Sequence, residues 1–275
     1  MMDMADMDTL TQAYQQDGAV VVRGLLSADE LELLHEGVAS NLASPGPLAA
    51  VASPSDDPGE FFEDFCNFER VPEYRALVMR SRMAEVAGRL MRSSVVRFYH
   101  DHLLIKTAGT RQPTPWHQDQ PYYNIDGRQT CSVWTPLDPV PEAATLKFVA
   151  GSHLGPWLMP VSFLTKEAKW FPDGALSPLP DIEAEPDRHR ILKWALEPGD
   201  AVFFHMLTLH ASAGSAVRRR VLSLRFIGDD VVHAPRRWKT SPEFPGLADT
   251  LPAGAPLDHP SFPVVWTASD PPQTK

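Results

Sequence analysis

The spacing of hydrophobic positions changes once along this chain, near residue 94. Before it, apolar residues recur three and four apart. Leu31, Leu34 and Val38 in "SADELELLHEGVASNL" mark one face of an amphipathic helix. Met83, Val86, Ala87 and Leu90 in "SRMAEVAGRLMRS" mark another. Ser27 with Glu30 three residues on is a capping-box pattern at the start of the first. "LTQAYQQDG" predicts a shorter helix closed by Gly18, and "AVVVRG" a strand. Residues 43–60 are rich in Pro, Ser and Asp and predict a loop.

After residue 94 the helical spacing disappears. "VVRFYHDHLLIKT", "TPWHQD", "TCSVWTPL", "TLKFVAG", "DAVFFHMLTLHAS" and "RRVLSLRFI" are short, rich in β-branched and aromatic residues, and punctuated by Gly, Pro and Asp. That texture predicts an all-β sandwich or barrel. Helices first and strands afterwards predict one domain over 1–275: helices in 1–94 covering one face of a double sheet built from about 95–228, then a proline-rich segment, 229–275. Residues 154–193 and 229–275 follow no regular pattern. Their aromatic residues (Trp157, Phe163, Trp170 and Phe171; Trp238, Phe244, Phe262 and Trp266) predict ordered lids.

Composition narrows the classes. A net charge of -10 argues against nucleic acid as a partner, since phosphate binding needs a basic face. The two cysteines, Cys66 and Cys131, are too few for a disulfide framework and predict reduced thiols in the cytoplasm. The acidic start "MMDMADMDTL" lacks the basic and apolar regions of a signal peptide, and no apolar run reaches the length of a membrane span.

The candidate chemistry begins in "PTPWHQDQPYYN". On a strand His117 and Asp119 would project to the same side, so an imidazole and a carboxylate could close on one ion. "FFHMLTLHASAGS" offers two further imidazoles, His205 and His210. His210 is preferred because the small residues after it leave room for a ligand beside a metal. Two His and one carboxylate form the facial set of non-haem Fe(II) oxygenases, with zinc as the tetrahedral alternative. In "RRRVLSLRF", Arg219, Val221, Ser223 and Arg225 share one face; Arg220, Leu222, Leu224 and Phe226 share the other. The first face predicts a cavity wall where Arg219 receives a carboxylate or phosphate through its fork, while Arg218 points to solvent.

Taken in order, "WHQD" with "PYYN", "SVWTPLD", "LKFVAGSHLGPW", "EPGDAVFFH" and "LHASAGS…RRVLSLRF" resemble the phytanoyl-CoA dioxygenase family of Fe(II)- and 2-oxoglutarate-dependent oxygenases. The resemblance runs from "DGAVVVRG" to "HPSFPVVW". It implies a double-stranded β-helix, the cupin-like jelly roll, mainly β with flanking helices. It implies iron held by His117, Asp119 and His210, with 2-oxoglutarate and O2 as cosubstrates. The far carboxylate of oxoglutarate would pair with Arg219, and Ser212, Trp134 and His102 would orient it. "PEAAT" departs from the Asn-Gly that often precedes "LKFVAGSH", and a short gap from His210 to Arg219 leaves Arg220 as a possible substitute, which strand parity disfavours. Related halogenases carry Gly or Ala where Asp119 stands, so hydroxylation of a small organic substrate is implied, with release of succinate and CO2. Trp116, Tyr122, Tyr123, Trp170 and Phe171 are candidates for the pocket mouth. His100, Lys106, His153 and His205 receive no role, and "GSH" at 151–153 reads as a turn. The competing expectations are a cupin-type isomerase or hydrolase that uses no oxoglutarate, and a non-catalytic binding module.

Overall fold

The computed structural model describes residues 4–160 and 176–268. Helix α1 (Met4–Asp17) leads into strand β1 (Ala19–Val22). Helix α2 (Ala28–Ala43) is followed by β2 (Ala50–Val51), β3 (Phe61–Phe65), α3 (Pro72–Arg80), α4 (Met83–Met91) and the long strand β4 (Val95–Lys106). Then come β5 (Thr114–His117), β6 (Ile125–Asp126), β7 (Thr130–Pro136), β8 (Leu146–Val149), β9 (Ile191–Leu192), β10 (Ala201–Phe204), β11 (His210–Ser212), β12 (Arg219–Ile227), β13 (Val232–His233) and β14 (Val264–Thr267). No helix among the described residues is long and apolar enough to cross a membrane.

An eight-stranded sheet runs β1-β10-β7-β12-β4-β3-β2, with β14 also pairing with β4. A four-stranded sheet, β5-β11-β8-β9, packs on it. Phe148 of the small sheet meets Phe204 of the large one with ring centroids 5.1 Å apart. This is the double-stranded β-helix, mainly β with helices on one side.

Side-chain alternation explains the layering. On β12, Leu222, Leu224 and Phe226 join Leu103, Ile105, Val133 and Phe203 in a core with the helices. Burying each large side chain contributes roughly 1.5–3 kcal/mol. The opposite face of the same strands, with Val221, Trp134, Val202 and Phe204, turns inward toward the small sheet. Strand β12 therefore divides as its parity predicts. The capping box also forms: the Ser27 amide donates to Glu30 Oε2 at 2.8 Å, and the Glu30 amide donates to Ser27 Oγ at 3.3 Å.

Several elements differ from the sequence reading. Helix α1 begins at Met4, earlier than the "LTQAYQQDG" stretch. The 43–60 loop contains the two-residue β2. Strand β3 and helix α3 lie in a stretch whose pattern was unassigned. Helix α3 is held by burial of Tyr74, Leu77 and Val78, which stand at helical spacing. In the proline-rich segment, Leu247, Leu251, Leu257 and Phe262 pack with Tyr99, Tyr122 and Tyr123 in a second core. Phe163, Trp170 and Phe171 lie outside the described residues.

Candidate active site

His117 ends β5 and His210 begins β11, and the two residues are directly paired across the small sheet. Their imidazole centroids lie 4.1 Å apart. Asp119 reaches them by a route other than the one expected. The strand stops at His117, and Asp119 has helical backbone angles, φ -73° and ψ -48°, at the start of a short turn. Its amide and that of Gln120 both donate to the Met206 carbonyl, at 2.8 and 3.0 Å. That anchor swings the carboxylate back, so strand alternation is not what aligns it with His117. Asp119 Oδ1 lies 3.6 Å from His117 Nε2 and 3.7 Å from His210 Nε2. All three ligand atoms fall within 4.8 Å of one another.

The surroundings prepare these atoms for a cation. Each histidine directs Nδ1 at a backbone carbonyl 2.8 Å away, Pro115 for His117 and Thr208 for His210. A proton on Nδ1 leaves the Nε2 lone pair free for a metal. Burial, with the neighbouring His117, pushes His210 down to about 3, which keeps its ring neutral. The far oxygen of Asp119 is already occupied: Ser132 Oγ donates to Oδ2 at 2.7 Å, and Arg225 Nη2 lies 3.2 Å from it. Burial opposes ionisation of Asp119, but the Arg225 guanidinium beside it outweighs that and holds the carboxyl well below the usual range. The result is two imidazoles that turn Nε2 toward one carboxylate oxygen, a set that suits a divalent transition ion.

A second centre lies beside this one. Arg219 is buried, and burial lowers it only to about 10, so it stays charged. Its guanidinium stands 5.5 Å from the Trp134 ring centroid. It donates to the Ala144 carbonyl and, at 3.4 Å, to Ser212 Oγ. Its Nε has no partner, and no carboxylate among the described residues pairs with it. Arg220, by contrast, donates to Asp138 Oδ2 from Nε at 3.0 Å and to Oδ1 from Nη2 at 2.7 Å. The exposed Arg218 also reaches Asp138, at 3.2 Å. Arg219 is thus the arginine of this run that lines the cavity with no carboxylate partner among the described residues.

Both centres open on one cavity of about 360 Å³, which Ser212, Trp134 and His102 also line. His102, Ser223 and Trp134 stand in one row across β4, β12 and β7. His102 stacks on Phe65 with centroids 3.7 Å apart, and its Nε2 lies 3.4 Å from Glu63 Oε2 without hydrogen-bond alignment. Tyr122 and Tyr123 line the same cavity. Trp116 does not: its indole donates to Glu183 Oε1 at 3.1 Å, in a groove on the outer side of the small sheet. His205 has both ring nitrogens engaged by backbone, Nε2 with the Arg128 carbonyl at 2.8 Å and Nδ1 with the Leu207 amide at 3.0 Å. "GSH" at 151–153 does form a turn, with Gly151 at φ +77°. The sequence reading passed over Ser132, Lys106 and Glu63. A local signal existed for Lys106, which shares the parity of His102 on β4, and for Ser132, which shares that of Trp134 on β7.

The profile of the family described as Phytanoyl-CoA dioxygenase (PhyH) matches residues 14–221. The chain is 26% identical over 221 residues to ectoine dioxygenase of Sphingopyxis alaskensis, spanning 74% of this chain and 69% of that protein. It is 26% identical over 170 residues to dioxygenase hkm4 of Aspergillus hancockii, and it spans only 54% of that protein's length. Among solved structures, the epimerase SnoN in complex with Fe3+, alpha ketoglutarate and nogalamycin RO shares the fold with a TM-score of 0.76, at 24% identity over 96% of this chain and 100% of that one. The alpha ketoglutarate dependent carbocyclase SnoK does so with a TM-score of 0.72, at 22% identity over 94% and 96%. The profile match spans most of the chain and agrees with the fold and with the cluster of two imidazoles and a carboxylate. The chain belongs to the phytanoyl-CoA dioxygenase family of Fe(II)- and 2-oxoglutarate-dependent oxygenases.

Proposed function

We propose that this protein hydroxylates a small organic substrate, with 2-oxoglutarate and O2 consumed and succinate and CO2 released. His117, Asp119 and His210 would hold Fe(II), and Arg219 the far carboxylate of oxoglutarate. Bound iron supplies the redox chemistry that couples decarboxylation of the oxo acid to oxidation of the substrate. The chain supplies geometry and charge. Two imidazoles and a carboxylate whose second oxygen is occupied would hold the ion from one side and leave room for oxoglutarate and O2. Arg219 and Ser212 fix one end of the oxo acid, while Trp134 and His102 wall its flank. The observation that carries this reading is the presence, in one cavity, of a ready three-donor cluster and a buried arginine that pairs with no carboxylate among the described residues. The two features match the two ends of one chelating diacid.

The cavity also bears on the substrate. Its volume of about 360 Å³ suits a compact molecule. Beyond the arginines and the cluster's own Asp119, the charged lining among the described residues is the Glu63 carboxylate, which disfavours a polyanion such as an acyl-CoA. SnoN and SnoK are named for epimerisation and carbocycle formation, so the frame also accommodates outcomes other than hydroxylation. The cytoplasm, where oxoglutarate and reduced iron are available, is the proposed location.

Anaerobic addition of Fe(II) and 2-oxoglutarate should produce a weak visible charge-transfer band, absent in His210→Ala. Arg219→Ala should weaken oxoglutarate binding about 10- to 100-fold, as expected for one charge-assisted contact. A folded protein that gives no band would overturn the assignment. A substrate screen read by succinate, followed by ¹⁸O2 labelling of the product, separates hydroxylation from the alternatives. Unlabelled product would reject the hydroxylase reading.

A further inference from the structure

Lys106 is a second buried basic side chain at the end of the cavity where Arg219 stands. It is fully buried at the end of β4, directly paired with Arg219 on one side and Phe61 on the other. Its ammonium position lies 4.7 Å from the Phe61 ring centroid. Nζ donates to the Gln112 carbonyl at 2.7 Å and to the Ala213 carbonyl at 3.0 Å, and it stands 3.5 Å from Ser212 Oγ. Gln112 precedes the strand that carries His117, and Ala213 follows the strand that carries His210. The lysine therefore ties together the two ends of the small sheet nearest the diacid. The Ser212 hydroxyl is shared, with Lys106 at 3.5 Å on one side and Arg219 Nη2 at 3.4 Å on the other.

The geometry points to Lys106 as a positioning residue that takes up one proton when 2-oxoglutarate binds and thereby turns the Ser212 hydroxyl toward the bound carboxylate. This inference rests on the oxoglutarate site proposed above. A neutral amine has two hydrogens and one lone pair. The two carbonyls take its hydrogens, so the lone pair is left to accept from the Ser212 O–H. An ammonium has three hydrogens and no lone pair. Its third hydrogen then goes to Ser212 Oγ, and the serine proton must point elsewhere. The available acceptor is an anion held by Arg219. The proton comes from solvent, and no other bond changes.

The charged surroundings fit this exchange. Arg219 faces the lysine from β12, and Asp57 from the loop before β3. Asp57 is itself engaged by the backbone amides of Arg111 and Gln112, at 2.8–3.1 Å. Burial first, and then Arg219, pushes Lys106 down to about 6, while Asp57 acts weakly the other way. A carboxylate arriving beside two cations reverses the balance and raises the lysine again. Affinity should therefore fall as pH rises above the free-site value, because more of the free enzyme must first gain a proton.

The test is an anaerobic titration of the Fe(II)-loaded protein with 2-oxoglutarate, read by the visible band, from pH 6 to 8.5. In the wild type Kd should rise with pH, approaching tenfold per unit. Calorimetry in two buffers of different ionisation enthalpy should show net proton uptake near pH 7.5. Lys106→Met should bind about tenfold more weakly at pH 6.5, with a flat pH profile. Lys106→Arg should restore affinity while keeping the flat profile. A wild-type Kd independent of pH, with no proton uptake, would overturn the proposal even if neither variant folds. The same holds if Lys106→Met matches the wild type. Absence of the band in the wild type would instead remove the oxoglutarate site itself, and this inference with it.

Discussion

Arg225 brings a charge into the interior and sets it against the one Asp119 oxygen that faces away from the imidazoles. Around it, Nε donates to the Tyr123 hydroxyl at 3.2 Å and Nη1 to Ser223 Oγ. The guanidinium is thus fully committed, unlike that of Arg219 at the other end of the same face of β12. Removing one member of a buried pair strands the other, at a cost of about 3–5 kcal/mol. Arg225→Met should therefore destabilise the metal-free protein by that order, measured by urea unfolding. A divalent metal should recover part of the loss by compensating Asp119, seen as a larger metal-induced rise in Tm than in the wild type. An unchanged unfolding midpoint would show that Arg225 does not hold the carboxylate.

At the scale of elements, two contacts decide how the helices sit on the large sheet. Ser27 caps α2, and Ser27→Ala should cost about 1 kcal/mol, the usual loss for such a cap. Gly88 of α4 is a close approach: a Cβ there would meet the Trp266 ring of β14 at 2.5 Å. Gly88→Ala should lower Tm, because the clash, about 1–3 kcal/mol, outweighs the helix-propensity gain of roughly 1 kcal/mol. Adding Trp266→Leu should restore part of the loss. If Gly88→Ala is stabilising on its own, the helix and β14 are not in the contact described.

For the molecule as a whole, buried histidines dominate the response to acid. His100, His102, His153 and His205 are all lowered by burial, His205 to about 3. In the unfolded chain such rings protonate near pH 6.5, as roughly expected for free imidazole. Below that pH the unfolded state holds more protons, so stability falls as pH falls. Asp101 works against this trend. Burial raises it to about 6, so the folded state keeps a proton that the unfolded chain loses near roughly pH 3.9. One carboxyl against four imidazoles leaves the histidines in control. The urea midpoint of the metal-free protein should drop from pH 7 to pH 5, and a flat profile would contradict the burial of these rings.

What could be read from the chain follows from the range of each interaction. The capping box at Ser27 and Glu30, the helix of Met83 to Leu90 and the two faces of β12 are set by spacings of two to four residues. Neighbouring residues in one strand or helix turn cannot choose those faces independently, so local spacing alone sets them. The sequence also determined the residue types on offer for a metal and an anion. Tertiary structure decided the rest. Asp119 is aimed by the Met206 carbonyl, Ser132 and Arg225, none of them near it in sequence. Lys106 comes beside Arg219 and Ser212 only because β4 pairs with β12 and its tip reaches Ser212. Which charges go unpaired in a buried cavity depends on which strands meet, and hydrogen bonds of that kind leave no periodic trace in the chain.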